Sequence, residues 1–315
     1  MSYKVLAFYL FTPVADPRRE VADHKIFLSR YDARARIYIS EEGINGQMSI
    51  AGSDLEAYLC YLEGHPLWHS CRIKMHEWPE HAFAKLTVKY RAELVALGRK
   101  VDTSNTAVHI SPADWEARLE AKESDTIVLD VRNAYESKVG HFTGAILPDI
   151  ETFREFPAFA EKLAARVDLE KTRVMMYCTG GIRCELYGAL MKEIGFKDVA
   201  QLDGGVIGYG LEKGSRHWEG KLFVFDDRLV VPLSEEAEPI TACRFCDAPV
   251  DLMFNCANMD CNALFTACKS CIERHHGCCS DDCFASGRVR PLHITDHPKP
   301  FRKLPKEMKQ RGFTI

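Results

Sequence analysis

The chain has 315 residues, 46% hydrophobic and 27% charged, enough for two or three domains with substantial cores. Its net charge of −4 supplies no global attraction to nucleic acid or anionic lipid, so either would need a local patch. No apolar run approaches the roughly 20 residues of a membrane-spanning helix, and thirteen cysteines, an odd number without a secretory signal, argue against a disulfide framework and for a reducing, cytoplasmic setting.

The run from Val5 to Phe11 lacks a basic flank and is broken by Thr12-Pro13, so it reads as a first strand rather than a signal peptide. Asp16 to Tyr31 reads as a charged helix with Val21, Ile26, Phe27 and Leu28 apolar. Strands at Arg36–Ser40 and Gln47–Ala51 flank a turn over Glu41 to Gly46. Ser53-Asp54-Leu55-Glu56 has the form of a capping box opening a second helix, and Arg72–Trp78 reads as another strand. The order βαββαβ predicts a ferredoxin-like α+β domain over residues 1–104. From 105 to 225, strand and helix signals alternate, which predicts a mostly parallel α/β domain. Ser111 caps a helix there, with Pro112 in its first turn and Asp114 three residues on. Thr126–Val131 is a short apolar strand. Residues 226–240, with their acids and with Pro232 and Pro239, read as a linker. Residues 241–315 form a small cysteine-rich module with a basic tail.

The densest chemical signal is Cys178-Thr179-Gly180-Gly181-Ile182-Arg183. It follows a buried-strand pattern over Arg173 to Tyr177, and it precedes Leu186, Ala189, Leu190 and Ile194 at helical spacing. Cys178 therefore stands on a strand-to-helix turn, at the positive end of a helix, where a thiolate is stabilised. Paired glycines let several backbone N–H groups turn inward around the sulfur, and Arg183 adds a fixed positive charge. The alternative is a structural cysteine beside a glycine-rich turn.

This loop resembles the active-site loop of a rhodanese domain. Leu129-Asp130-Val131-Arg132 with Tyr135-Glu136, Gly140 to Ala145, and Leu202-Asp203-Gly204-Gly205 resemble that fold's other motifs in order. The resemblance implies that a six-residue loop holds a persulfide, whereas related phosphatases use one residue more. Asp130 and Arg132 would brace the loop. With Glu42-Gly43-Ile44-Asn45-Gly46 before the loop, Cys184-Glu185 at its end and a terminal cysteine cluster, nearly the whole chain resembles the tRNA uridine(34) hydroxylases. That resemblance implies oxygen-dependent formation of 5-hydroxyuridine at the wobble position, with the tRNA anticodon loop as partner, molecular oxygen as co-substrate and Cys178 as the catalytic cysteine. Cys184 would either resolve an oxidised Cys178 or pack in the first helical turn. A persulfide sulfurtransferase and a non-catalytic RNA- or protein-binding adaptor are the other two readings.

Nine cysteines fall between Cys243 and Cys283, including two C-x2-C pairs, a spacing suited to tetrahedral metal sites. Cys243, Cys246, Cys256, Cys261, Cys268, Cys271, Cys279 and Cys283 would fill two four-thiolate zinc sites, leaving Cys278 as the spare cysteine if Cys279 is a ligand. His275 and His276 are substitute ligands, and reduced packing thiols or an iron–sulfur cluster are the competing readings. Which cysteines share a site is not readable from spacing. The tail carries Arg288, Arg290, Arg302 and Lys303 with Phe301 and His293 interleaved, a pattern suited to single-stranded RNA, although a solvated tail has the same composition. Lys85, Lys89, Arg91, Arg99 and Lys100 make a second basic patch. No flavin or nicotinamide fingerprint is present, and only His217-Trp218-Glu219 offers half of a facial iron triad.

Overall fold

In the computed structural model, which describes residues 2–292, the chain opens with β1 (Tyr3–Phe11), α1 (Pro17–Leu28), β2 (Ala33–Ser40), β3 (Gly43–Ala51), α2 (Leu55–Glu63), β4 (Arg72–Trp78) and β5 (Leu86–Tyr90). The strands form one sheet in the order β4-β1-β3-β2-β5, with β5 parallel to β2 and the other pairings antiparallel. This is the expected ferredoxin-like arrangement extended by one edge strand. Period-two burial fixes the register: Ala33, Ala35, Ile37 and Ile39 of β2 are buried, while Arg34, Arg36 and Tyr38 between them are partly exposed. The buried side joins Leu6, Phe8, Ile44, Met48, Tyr58 and Trp68 in one core.

Two local expectations are corrected. The turn between β2 and β3 is only Glu41-Glu42, because Ser40 already pairs with Gly43 and β3 takes up the rest of the segment. The capping box at Ser53 does not form. Asp54 instead accepts the backbone N–H of Asp32 at 3.0 Å and the Ser53 hydroxyl at 3.2 Å, and α2 starts after a 3-10 turn. At α1, by contrast, Asp16 caps the helix by accepting the N–H of Arg19 at 3.0 Å.

The next segment runs through β6 (Val108–Ile110), α3 (Pro112–Ala121), β7 (Thr126–Asp130), α4 (Ala134–Ser137), β8 (Gly140–Phe142), α5 (Phe156–Ala164), β9 (Arg173–Tyr177), α6 (Ile182–Ile194), β10 (Asp198–Leu202) and α7 (Gly205–Lys213). Strands β6, β10, β9 and β7 lie in that order in a parallel sheet. Ser111 caps α3 as expected, accepting the N–H of Asp114 at 3.1 Å. Val174, Met175, Met176 and Tyr177 are fully buried, the continuous apolar run of a strand covered on both faces.

The chain divides into two units, one formed by residues up to 137 with 142–218, the other by 138–141 with the residues from 219 on. The second unit contains short pieces: β12 (Leu222–Phe223), β13 (Val230–Val231), β14 (Met253–Asn255), β15 (Leu264–Thr266), α8 (Lys269–Arg274) and α9 (Asp281–Ala285), with β11 (Trp218–Gly220) at its border. The acid-rich segment read as a linker begins inside a folded hairpin. Strands β12 and β13 pair, and the largely buried Asp226 holds Arg228 at 2.6 Å. Among the described residues, no helix is long and apolar enough to cross a membrane.

Candidate active site

Strand β9 delivers Cys178 to the end of the parallel sheet, and the chain then wraps the sulfur. Gly181, at φ +100°, sits in the left-handed region that favours glycine and turns its N–H onto Cys178 Sγ at 3.1 Å. The outward-facing loop carbonyls are taken up by the first turn of α7: Val206 N–H bonds Cys178 O at 3.0 Å and Ile207 N–H bonds Thr179 O at 3.0 Å. That contact needs glycine at 205, where a Cβ would lie 2.6 Å from Cys178 O. The loop is thus bonded from both sides, with its amides facing the sulfur.

Burial disfavours a charged sulfur here. The Cys184 thiol, the Arg183 charge and the N–H groups of Arg183 and Gly181 outweigh it and hold the Cys178 thiol down at about 5. For Cys184 burial pushes the thiol well up and the neighbouring Cys178 adds to this, so Cys184 keeps its proton. Cys184 is therefore a hydrogen-bond partner of Cys178 within the first turn of α6, in addition to packing there.

Arg183 faces a partner that sequence reasoning quoted but gave no role. Glu136 of α4, with no exposed surface, accepts Arg183 Nη1 at 2.7 Å and Nη2 at 2.9 Å, and also the Asn133 N–H at 3.1 Å. Thr179 Oγ1 lies 3.3 Å from both Arg183 Nη2 and Glu136 Oε1, and Ile182 packs against the core. A buried arginine requires a carboxylate, and that requirement was the available signal for Glu136. Asp130 and Arg132 brace the strands that lead to the loop. Arg132 bonds Asp130 at 2.6 Å with both side chains fully buried, Tyr177 donates its hydroxyl to Asp130 at 2.8 Å, and Val131 N–H reaches Tyr177 O at 3.0 Å.

The ferredoxin-like part supplies the other wall. A cleft of about 770 Å³ lies beside the loop, lined by Tyr9, Arg72, Lys74, His109, Glu185 and Asp203 among others. Lys74 Nζ donates to Gly180 O at 2.6 Å, and its ammonium sits 5.1 Å from the centre of the Tyr9 ring. Tyr9 Oη donates to Glu185 at 2.9 Å. Glu185 also takes His109 Nε2 at 3.1 Å and Gln201 Nε2 at 3.1 Å, and His109 Nδ1 faces Asp203 at 3.3 Å. The bond to Glu185 leads the causes that raise the His109 pKa, so the imidazole carries charge readily. No local pattern marks Tyr9 or Lys74, because their partners lie more than a hundred residues away in sequence.

The eight expected thiol ligands fall into two sets, Cys243, Cys246, Cys268 and Cys271, and Cys256, Cys261, Cys279 and Cys283, each with its sulfurs within 4.8 Å of one another. The sets interleave along the chain. Sulfur separations of 3.8 Å (Cys243–Cys268 and Cys246–Cys268), 3.7 Å (Cys261–Cys279) and 3.6 Å (Cys279–Cys283) match the roughly 3.8 Å edge of a tetrahedron with 2.3 Å zinc–sulfur bonds. The donors therefore fit a metal ion. Cys278 lies in neither set and is buried in the module's core. The histidines proposed as substitute ligands are engaged elsewhere: His275 stacks on Phe245 at 3.9 Å and faces Asp281 at 3.2 Å, and His276 stacks on Phe284 at 4.2 Å.

His217 faces Glu120 at 3.6 Å, with Glu116 nearby. Lys213 and Arg216 already neutralise Glu116 at 3.2 Å each, which disfavours an iron triad there. In the basic tail, Arg288 pairs with Asp260 at 2.5 Å, and Arg290 bonds Asn262 at 2.8 Å and the carbonyls of Cys256 and Ala257. Arg302 and Lys303 lie outside the described residues. In the second patch, Arg99 pairs with Glu193 at 2.9 Å and Arg91 stacks over Tyr38.

Three family models match in order: a UPF0176 acylphosphatase like domain over residues 3–94, a rhodanese-like domain over 111–211 and a "Rhodanase C-terminal" model over 219–284. A solved rhodanese-like domain from Anabaena sp is 23% identical and covers 36% of this chain and 78% of its own, with a TM-score of 0.29. A protein of Chlamydia muridarum named tRNA uridine(34) hydroxylase is 53% identical over 305 residues, 96% of this chain and 92% of the relative. Its namesake in Protochlamydia amoebophila is 52% identical over 303 residues, 96% and 94% of the two chains. Half of the residues are thus shared over almost the full length, across both units described above, and the chain belongs to the tRNA uridine(34) hydroxylase family.

Proposed function

We propose that this protein hydroxylates uridine 34 of tRNA to 5-hydroxyuridine, with Cys178 as the reacting group and molecular oxygen as co-substrate, one oxygen atom entering the base and the other being reduced to water by a two-electron donor. The observation that carries the reading of Cys178 is its buried sulfur, held down as a thiolate by the Cys184 thiol, Arg183 and Gly181 N–H, in a loop whose neighbours Lys74, Glu185 and Gly204 line a cleft of nucleotide size. Uracil is electron-poor at C6 through conjugation to its C4 carbonyl, so a thiolate is the natural attacking group. The cleft is lined by an aromatic ring, Tyr9, that suits an unstacked base, and by Arg72 and Lys74, which face the carboxylates of Glu185, Asp203 and Glu212 in the same lining. The anticodon loop presents uridine 34 unpaired, and a cytoplasmic location follows from that partner. The two thiol sets would hold two zinc ions that order the second unit, because four thiolates without an open position make a structural site.

The test is mass spectrometry of digests from tRNA incubated in air with the full-length protein and a thiol or dithiol reductant as electron donor. Wild type should form 5-hydroxyuridine at position 34. Cys178→Ser, nearly isosteric but unable to present a thiolate or form a persulfide, should form none while still binding tRNA. Full product formation by Cys178→Ser would remove the cysteine from the reaction. Thiolated nucleosides in place of hydroxylated ones would favour a persulfide sulfurtransferase.

A further inference from the structure

The groups that hold the Cys178 loop do not all come from the parallel-sheet domain. Arg183 is the cation nearest in sequence, yet it is held by both oxygens of Glu136 at 2.7 and 2.9 Å, with neither side chain more than 5% exposed. That pair is neutral as a unit. Further out, Arg72 faces Asp203, and His109 lies between Asp203 and Glu185. Cys184 and Tyr187 of α6 and Tyr9 of β1 stay protonated, burial being the leading cause for each. Arg183 still supplies charge to the sulfur, and beside the loop stands a further ammonium, Lys74 of β4, for which Cys178 leads the neighbouring negative charges, ahead of Asp203 and Glu185.

We infer that Lys74 is the positioning residue of the Cys178 loop and adds its charge to that of Arg183 on the thiolate, so that the ferredoxin-like domain completes the reactive centre. The 2.6 Å bond from Nζ to Gly180 O fixes the loop two residues beyond the sulfur. Gly181, whose N–H supports the sulfur, is packed directly under the Tyr9 hydroxyl, where a Cβ would come within 3.0 Å. Burial weakens the Lys74 ammonium, and Cys178 leads the neighbouring charges that oppose this. A buried thiolate and a half-buried ammonium each lose hydration, and side by side they offset part of that cost for one another. An ammonium also has three donors, so Lys74 can hold Gly180 and still meet negative charge arriving on the sulfur or on a bound pyrimidine oxygen.

This inference rests on Cys178 being the reacting group, and its test can be read without tRNA. The ultraviolet absorbance of the Cys178 thiolate is titrated as the difference between each protein and its Cys178→Ser counterpart, which cancels the other cysteines. In Lys74→Met the titration should move up by about one pH unit, and the acid limb of the hydroxylation rate should move with it. Lys74→Arg keeps the charge and should stay within about 0.3 unit of wild type. Lys74→Gln keeps a donor for Gly180 without the charge, should behave as Lys74→Met does, and carries the test if the methionine variant does not fold. Wild-type titration in Lys74→Gln would overturn the assignment, because the lysine would then matter only as a hydrogen-bond donor. A wild-type protein with no hydroxylase activity would count against the proposed function and leave the titration to judge Lys74.

Discussion

Glu136→Gln removes one charge from the most enclosed ion pair of the site and leaves its shape almost unchanged. The glutamine keeps one carbonyl oxygen, but the Arg183 guanidinium cannot release its proton and remains a buried cation without its carboxylate. Breaking such a pair from one side costs about 3–5 kcal/mol. At about 2–4 °C per kcal/mol for a unit of this size, the melting temperature should fall by roughly 6–20 °C. Replacing both partners, Glu136→Gln with Arg183→Met, should recover at least about 1 kcal/mol of that loss, because no buried charge is then stranded. Calorimetry and urea denaturation of the four proteins, at equal metal content, measure the cycle. A glutamine variant melting within about 1 °C of wild type, with the two substitutions additive to within roughly 0.5 kcal/mol, would refute the reasoning.

Purified protein that has never met a chelator should carry about two zinc ions, and less than about half an equivalent would return the cysteines to simple packing. Cys178 should also make stability depend on pH. Its thiol is held at about 5 in the fold against 9.0 as its ordinary value, so between those limits the unfolded chain binds the proton and the native state does not. The stability advantage of wild type over Cys178→Ala should therefore grow as pH rises from about 5 to about 9 and be lost as pH falls through 5. A pH-independent difference in urea denaturation would mean that the sulfur is not ionised in the fold. Truncation after Leu292 should weaken tRNA binding and flatten its salt dependence, since phosphate contacts release counterions. Equal affinity at low and high salt would return the tail to plain solvent.

What the sequence disclosed followed the range of each interaction. The Cys178 loop was legible because its strand, glycines, arginine and helix are consecutive, and the caps at Asp16 and Ser111 because their partners are three residues away. The capping box at Ser53 misled because Gly52–Asp54 form a 3-10 turn in which the Ser53 hydroxyl goes to the adjacent Asp54 carboxylate, itself held by the N–H of Asp32, 22 positions earlier. Eight zinc-type ligands could be chosen by spacing, but their partition could not, since each set joins cysteines from two separated stretches. The contributions of Tyr9 and Lys74 were illegible for the same reason, with Lys74 lying 106 positions from the carbonyl it holds. Glu136 lay within a quoted motif, yet its role emerged only when Arg183 proved to be buried beside it.

The interleaving of the thiol sets has a consequence for how the second unit could be divided. A cut anywhere between Cys256 and Cys271 leaves neither fragment with a complete set of four ligands. A minimal peptide holding one centre can be trimmed only from the outside: 243–271 would still enclose Cys256 and Cys261, and 256–283 would still enclose Cys268 and Cys271. The first fragment therefore carries two unmatched thiols in its interior and the second carries three, Cys278 being the third. During synthesis, the first set is complete as soon as Cys271 leaves the ribosome, but it closes around a loop whose own ligands must wait for Cys279 and Cys283. Until then Cys256 and Cys261 lack the other half of their set, and they are the sulfurs open to oxidation or to a stray metal ion.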